Sequence, residues 1–353
     1  MSFYVVPTLS DRLTCGTRVE CDFFPNTKRE ALMPSKSKSK SNSKKSAFSD
    51  AKRPADSAPT PQPYRRDPAR QRYLIAVFLV IAIGGGILAM TLKNARLINL
   101  GMAKVEQLVH DTKNEYKHDR LAFTQGLFMD GDMMYESTGI RGESTMRLVD
   151  YKTGEVKNRI VLPEKYFGEG CTMLNDKIYQ LTWQAGKCFV YNRELVKQAE
   201  FEYDTEGWGL TNDGTHLIMS DGTSKLIYID PVDFSVVKKV FVKLGNQKVN
   251  SLSQVRLNEL EYYNGRIYAN HYPTDYIYEI DAETGRITAR IDLAGLWPQE
   301  ERPTKPQPGM LNGIAISADG DIFVTGKYCP TMFEVELHVT KKEKEHRDKM
   351  RAK

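Results

Sequence analysis

An all-β fold, a five-bladed β-propeller, is predicted for the middle of this 353-residue chain on three observations: a recurring glycine-anchored unit, a hairpin turn inside each unit, and a spacing close to one blade per repeat. The units begin at Gly126, Gly170, Gly209, Glu259 and Gly313. Each reads as a short apolar strand, a turn of the Asp-Gly or Asn-Gly type and a second strand. Successive anchors lie 44, 39, 50 and 54 residues apart, against the roughly 40–45 residues of one four-stranded blade. A propeller gathers the innermost strand of every blade around a central channel. The residues just before each anchor are therefore expected at one channel mouth: Phe123, Thr124 and Gln125; Phe167 and Glu169; Trp208; Leu257 and Asn258; Leu311 and Asn312. The ends of the second strands add residues 137–139, Thr182, Trp183, Ser220, Asp221, residues 270–272 with Tyr272, and residues 325–327 with Lys327. Spacing does not say which rim these reach.

Taken in order, residues 1–72 hold a Lys-Ser run from Lys36 and a Pro/Ala/Ser-rich stretch to Pro63, a composition that cannot bury enough apolar surface to fold. They are expected to be a disordered basic tail, either a solvated segment or a sorting or membrane-surface signal. Residues 73–92 contain 20 consecutive uncharged residues, enough for one helix across a roughly 30 Å hydrocarbon layer. Arg65, Arg66, Arg70 and Arg72 precede the run, and only Lys93 and Arg96 follow it nearby. This asymmetry predicts a signal-anchor with a cytosolic N-terminus and the remainder luminal or extracellular, a single-pass type II protein of the secretory route (endoplasmic reticulum, Golgi or cell surface). Residues 93–103 are a stalk, 104–339 the propeller and 340–353 a charged tail. The last repeat has room for only three strands, so a weak strand at residues 105–109 is expected to supply its fourth and close the ring. Residues 150–154 and 281–285 read as outer hairpin turns. The Pro- and charge-rich residues 297–309 form a long excursion, either a lid or a passive insertion.

The net charge of +5 is unevenly placed: residues 1–72 carry +8 and residues 340–353 carry +4, which leaves the middle at −7. Basic residues that avoid the folded part argue against nucleic-acid binding. The cysteines Cys15, Cys21, Cys171, Cys188 and Cys329 show no CxxC spacing. Cys171 and Cys188 fall on the first and third strands of one unit, too far apart for a disulfide, and read as buried free thiols. No Gly-x-Ser-x-Gly elbow, phosphate loop or His-Glu-x-x-His occurs, and the six histidines are scattered. Neither a metal nor another cofactor is expected. The predicted rim offers one carboxyl group, Glu169, among the aromatics Phe123, Phe167, Trp183, Trp208 and Tyr272, with the amides Gln125, Asn258 and Asn312 and one cation, Lys327. A carboxyl group walled by aromatics tends to a raised pKa, suited to taking and returning protons. Each residue also has a plainer reading. Trp183 and Trp208 can be core packing, Lys327 and Asn258 solvated or structural, and a lone Glu before a strand a surface residue.

These residues carry a resemblance. Phe123-Thr124-Gln125-Gly126, Tyr135-Glu136-Ser137-Thr138-Gly139, Phe167-Gly168-Glu169-Gly170, Gln180-Leu181-Thr182-Trp183, Gly207-Trp208-Gly209-Leu210, Leu257-Asn258-Glu259-Leu260-Glu261, Leu311-Asn312-Gly313-Ile314-Ala315 and Thr325-Gly326-Lys327 resemble the signature set of the plant-type glutaminyl-peptide cyclotransferases. The likeness runs from about Lys104 to Leu337. It implies a metal-independent five-bladed propeller that acts on peptides or proteins with an N-terminal Gln. It further implies Glu169 as the catalytic acid/base, and Phe123, Gln125, Phe167, Trp183, Trp208, Asn258 and Lys327 as shaping and polarising the substrate pocket. Where the family usually has a Trp after an Ala-Asn pair, this chain has His271-Tyr272, a smaller and more polar wall that bears on substrate preference, not reaction type. A monomer is expected. Two rival readings are a membrane-anchored, non-catalytic peptide-binding module and a metal-dependent propeller enzyme such as a lactonase. The second needs a cluster of acidic and amide ligands that the predicted rim does not offer.

Overall fold

The computed structural model describes residues 105–244, 247–248, 255–340 and 344. The expected cytosolic tail (1–72), apolar span (73–92), stalk (93–103) and nearly all of the charged tail (340–353) lie outside the described residues. Among the described residues no helix is long and apolar enough to cross a membrane. Among the described residues helix is confined to a 3₁₀ turn at Gln299–Glu301 and to Lys344; the fold is all-β and propeller-like.

After β1 (Glu106–Lys117), the strands β2 (Thr124–Asp130), β3 (Met133–Thr138), β4 (Thr145–Asp150) and β5 (Glu155–Val161) form an antiparallel sheet in chain order. The pattern repeats in β6 (Gly168–Leu174), β7 (Lys177–Thr182), β8 (Lys187–Tyr191) and β9 (Lys197–Glu202), and in β10 (Leu210–Asn212), β11 (Leu217–Ser220), β12 (Lys225–Ile229) and β13 (Val236–Phe241). A small ribbon, β14 (Lys243–Leu244) with β15 (Gln247–Lys248), follows. The remaining strands share an eight-stranded sheet. One half is β16 (Leu257–Tyr263), β17 (Arg266–His271), β18 (Tyr276–Asp281) and β19 (Ile287–Asp292); the other is β20 (Met310–Ile316), β21 (Ile322–Lys327) and β22 (Thr331–Val339) with β1.

The first strands β2 and β6 are largely buried on both faces, whereas the last strands β5, β9 and β13 are mostly exposed and carry charged side chains. Charge on an outer edge discourages pairing with another chain. The first strands lie against one another in turn: β2 on β6, β6 on β10, β10 on β16, β16 on β20, and β20 on β2. That contact explains the glycine anchors. A Cβ on Gly126 would overlap the backbone of Gly170 and Cys171, one on Gly170 would overlap Gly209 and Leu210, and one on Gly209 would overlap Asn258. Apolar cores fill the space between neighbouring sheets; Leu174, Leu181 and Val190 pack on Leu210, Leu217 and Ile227.

One expectation needs correction in its extent. The predicted strand at residues 105–109 is the twelve-residue β1, antiparallel to β22 from Leu108↔Val339 to Lys117↔Thr331 and parallel to β19 over Glu106–Val109. Its second half is polar, and Glu334 holds it by accepting hydrogen bonds from Asn114 and Tyr116 at 2.9 Å each. The excursion at 297–309 is anchored at its start, while residues 304–308 are exposed. Trp297 is buried, and Arg302 is buried while pairing bidentately with Asp275 at 2.8 and 3.0 Å. Cys171 and Cys188, on β6 and β8, are free and buried, as is Cys329.

Candidate active site

In an antiparallel hairpin the start of the first strand and the end of the second share one rim, and the register Thr124↔Thr138 and Gly168↔Thr182 shows it. The structure thereby answers the question that spacing left open. A cavity of about 240 Å³ opens on that rim, below the roughly 300–1,000 Å³ of sites that bury drug-sized ligands. One side chain fits such a space better than a peptide segment. Nine of the ten residues named for the rim line it: Phe123, Gln125, Phe167, Glu169, Trp183, Trp208, Asn258, Tyr272 and Lys327. Four other expected mouth residues do not. Thr124 turns to Glu136, Asn312 donates to the Thr124 carbonyl at 2.9 Å and to Gln125 at 3.3 Å, and Leu257 and Leu311 are core.

The walls form a broken aromatic ring. Phe123 meets Phe167 edge to face with centroids 6.0 Å apart, and Phe167 meets Trp183 likewise at 5.6 Å. Trp208 meets Tyr272 at 5.6 Å and 88°. Between Tyr272 and Phe123 stands Lys327, its Nζ 5.6 and 4.9 Å from the two ring centroids. Between Trp183 and Trp208 stands Glu206, whose Oε2 accepts the Nε1–H of both indoles at 2.9 Å.

Glu169 on β6 and Asn258 on β16 lie within this ring, 4% and 3% exposed. Buried polar atoms are nearly always paired, yet Glu169 Oε2 and Asn258 Oδ1 have no partner in the protein. Burial pushes the Glu169 carboxyl well above the usual carboxylate range; Lys327 and a bond to Gln125 oppose the rise, and Glu206 adds to it. Burial also pulls Lys327 down to about 8, against the pull of Glu169. A carboxyl group with a raised pKa and one oxygen unclaimed can give a proton to a bound group and take one back. Among the described residues no three His, Cys, Asp or Glu side chains are gathered as a metal ion would need.

Sequence reasoning missed four participants. Ile140 and Gln307 line the cavity from loops, Ile140 at φ 79°, a left-handed conformation costly for a β-branched residue. Glu206 is a second carboxylate at the rim, and Arg256 a second cation, stacked over Trp208 and Tyr272 at 4.9 and 4.7 Å. The expectation of a single carboxylate and a single cation there was therefore too sparse, because loop residues carry no repeat phase. The one available signal was an acid two positions before a Trp.

Comparison with known proteins gives three findings. The model of the family described as glutamine cyclotransferase matches residues 80–337. Over 227 residues the chain is 38% identical to the glutaminyl-peptide cyclotransferase of Arabidopsis thaliana, covering 63% of this chain and 69% of that one. The crystal structure of Myxococcus xanthus glutaminyl cyclase superposes with a TM-score of 0.61 at 34% identity, covering 67% of this chain and 99% of that one.

Proposed function

The chain belongs to the glutamine cyclotransferase family and is a glutaminyl-peptide cyclotransferase, an acyltransferase, and we propose that it works through Glu169 as the acid/base of the rim cavity. In this reaction the α-amine of an N-terminal Gln attacks its own side-chain carbonyl, closing a five-membered lactam. The C–N bond of the side-chain amide breaks and ammonia leaves. Proximity comes with the substrate, so the protein has to hold the bent conformer and manage protons. Glu169 gives its proton to the departing nitrogen and recovers one from the attacking amine. Lys327 or Asn258 stabilises the oxygen on which charge develops, and the aromatic walls hold the compact side chain. The unclaimed, buried Oε2 of Glu169 inside a cavity of one side chain's scale carries this assignment. Incubating the purified protein with a Gln-initiated peptide and an Asn-initiated control should release ammonia and pyroglutamyl peptide from the first alone. Binding of both peptides without release would favour the non-catalytic binding module.

The five four-stranded groups are read as five blades of one ring acting as a monomer. Residues 73–92 are read as an anchor that leaves the basic tail in the cytosol and the catalytic domain luminal or extracellular. The arginines before that stretch support this orientation. Protease added to sealed microsomes should trim about 70 N-terminal residues and spare the rest; digestion of the catalytic domain would reverse the topology.

A further inference from the structure

The aromatic ring around the cavity is interrupted twice, once by a cation and once by an anion. Lys327 belongs to the site as read from the sequence; Glu206 does not. Its carboxylate lies in the connection between β9 and β10, and that connection is fixed. Gly207 N donates to the Trp183 carbonyl at 3.0 Å, Trp208 N donates to the Ser220 carbonyl at 3.0 Å, and Tyr203 Oη takes the Thr182 amide at 3.0 Å. A Cβ on Gly207 would overlap the Tyr203 hydroxyl, and the Trp208 ring packs on Gly222. Glu206 Oε1 accepts from Gln184 at 3.3 Å, which leaves Oε2 for the two indoles.

An indole has one donor, its N–H. With both N–H groups spent on one oxygen, Trp183 and Trp208 turn only apolar faces and edges to the cavity. The two rings come from different sheets, Trp183 at the end of β7 and Trp208 just before β10, so their spacing is not set by strand pairing. We propose that Glu206 is a positioning residue for glutaminyl cyclisation, its carboxylate clamping Trp183 and Trp208 at the separation that grips the substrate side chain. This rests on the cyclotransferase reading of the cavity. The clamp also carries charge. Among the groups around Glu169, Lys327 is the cation, Gln125 is neutral and Glu206 is the second anion, itself faced by Arg256. A negative neighbour favours the protonated form of Glu169.

The test compares wild type, Glu206→Ala and Glu206→Gln in ammonia release from a Gln-peptide, with KM and kcat resolved across pH, beside near-UV circular dichroism of the indoles. Glu206→Ala should raise KM about 10- to 100-fold, the worth of hydrogen bonds to a charged acceptor, and change the indole spectrum. Glu206→Gln keeps an acceptor and should recover most of KM, while the kcat/KM limb set by Glu169 moves to lower pH, because the second anion is gone. An unchanged KM and indole spectrum in Glu206→Ala would overturn the clamp. A KM loss that Gln does not relieve would overturn it too. A wild type that releases no ammonia would instead sink the cyclotransferase reading, and the indole spectra would still judge the clamp.

Discussion

Two carboxyl groups of this protein are equally hidden from water and behave in opposite ways. Glu136 on β3, 1% exposed, receives Thr124 Oγ1 at 2.6 Å, His118 Nε2 at 3.0 Å and the Arg147 guanidinium at 2.7 and 2.9 Å. Burial alone would raise its pKa; Arg147, His118 and Thr124 outweigh that and hold it well below the usual carboxylate range. Glu169, 4% exposed, has one oxygen without a partner and a pKa held high. Burial sets the scale of both shifts, and the number of donors supplied sets the sign. Glu136 is built to stay charged and tie strands together; Glu169 is left under-satisfied, as a group that must exchange protons has to be.

The largest expected consequence separates the two by activity. Glu169→Gln keeps size and hydrogen-bonding capacity but cannot shuttle a proton, so ammonia release should fall by roughly 10²–10⁴-fold with the fold intact. Wild-type turnover in this variant would make Glu169 a structural residue. The converse change, Glu136→Gln, strands part of the Arg147 charge and should cost about 3 kcal/mol, the scale of a broken buried ion pair. A melting temperature within a degree of wild type would show that the cluster does not stabilise the fold.

Titration sharpens the contrast further. The folded pKa of Glu169 is raised, so above the ordinary value of 4.5 the folded chain keeps a proton that the unfolded chain has released, and stability falls as pH rises. Glu261, pushed up to about 8 by burial, shares that sign, so the informative quantity is the difference between wild type and Glu169→Gln. From pH 5 to pH 7 that difference should move in favour of the variant by up to about 1.4 kcal/mol per pH unit; denaturant melts at the two pH values measure it. Glu136 has the opposite sign, its contribution being lost as pH falls below the carboxylate range. The smallest effect expected is none. Chelation should leave turnover unchanged, since Lys327 is the cation that faces Glu169. A loss restored by zinc would give that role to a metal.

The cavity residues on strands were legible because glycine anchors force the first strands together and each antiparallel hairpin returns its partner's end to the same rim. Glu169 and Asn258 follow from that phase; Lys327, at the end of a second strand, is placed by the hairpin register Met310↔Lys327. Glu206, Arg256, Ile140 and Gln307 sit in connections, where no periodicity constrains them and only tertiary contact reveals their role. Glu136 stood within a motif carrying the resemblance, but its meaning depends on His118 and Arg147, which no spacing links to it. The length of β1 was hidden for a related reason. Residues 111–117 carry too many polar side chains to read as a strand until Glu334 is placed beside them.

The seam between β1 and β22 bears on how the chain is made. Asn114 and Glu334, which meet across it, are 220 residues apart, so β1 waits for β22 before its sheet is complete. Contacts of such separation slow folding and leave an open edge exposed meanwhile. The amide of Thr340 nevertheless donates to the carbonyl of Gln107 at 3.4 Å, so the two ends of the domain already adjoin. A rearranged gene that starts at residue 118 and places residues 106–117 after a short turn beyond Thr340 would keep the pairings of the described strands, while turning that wait into a local hairpin.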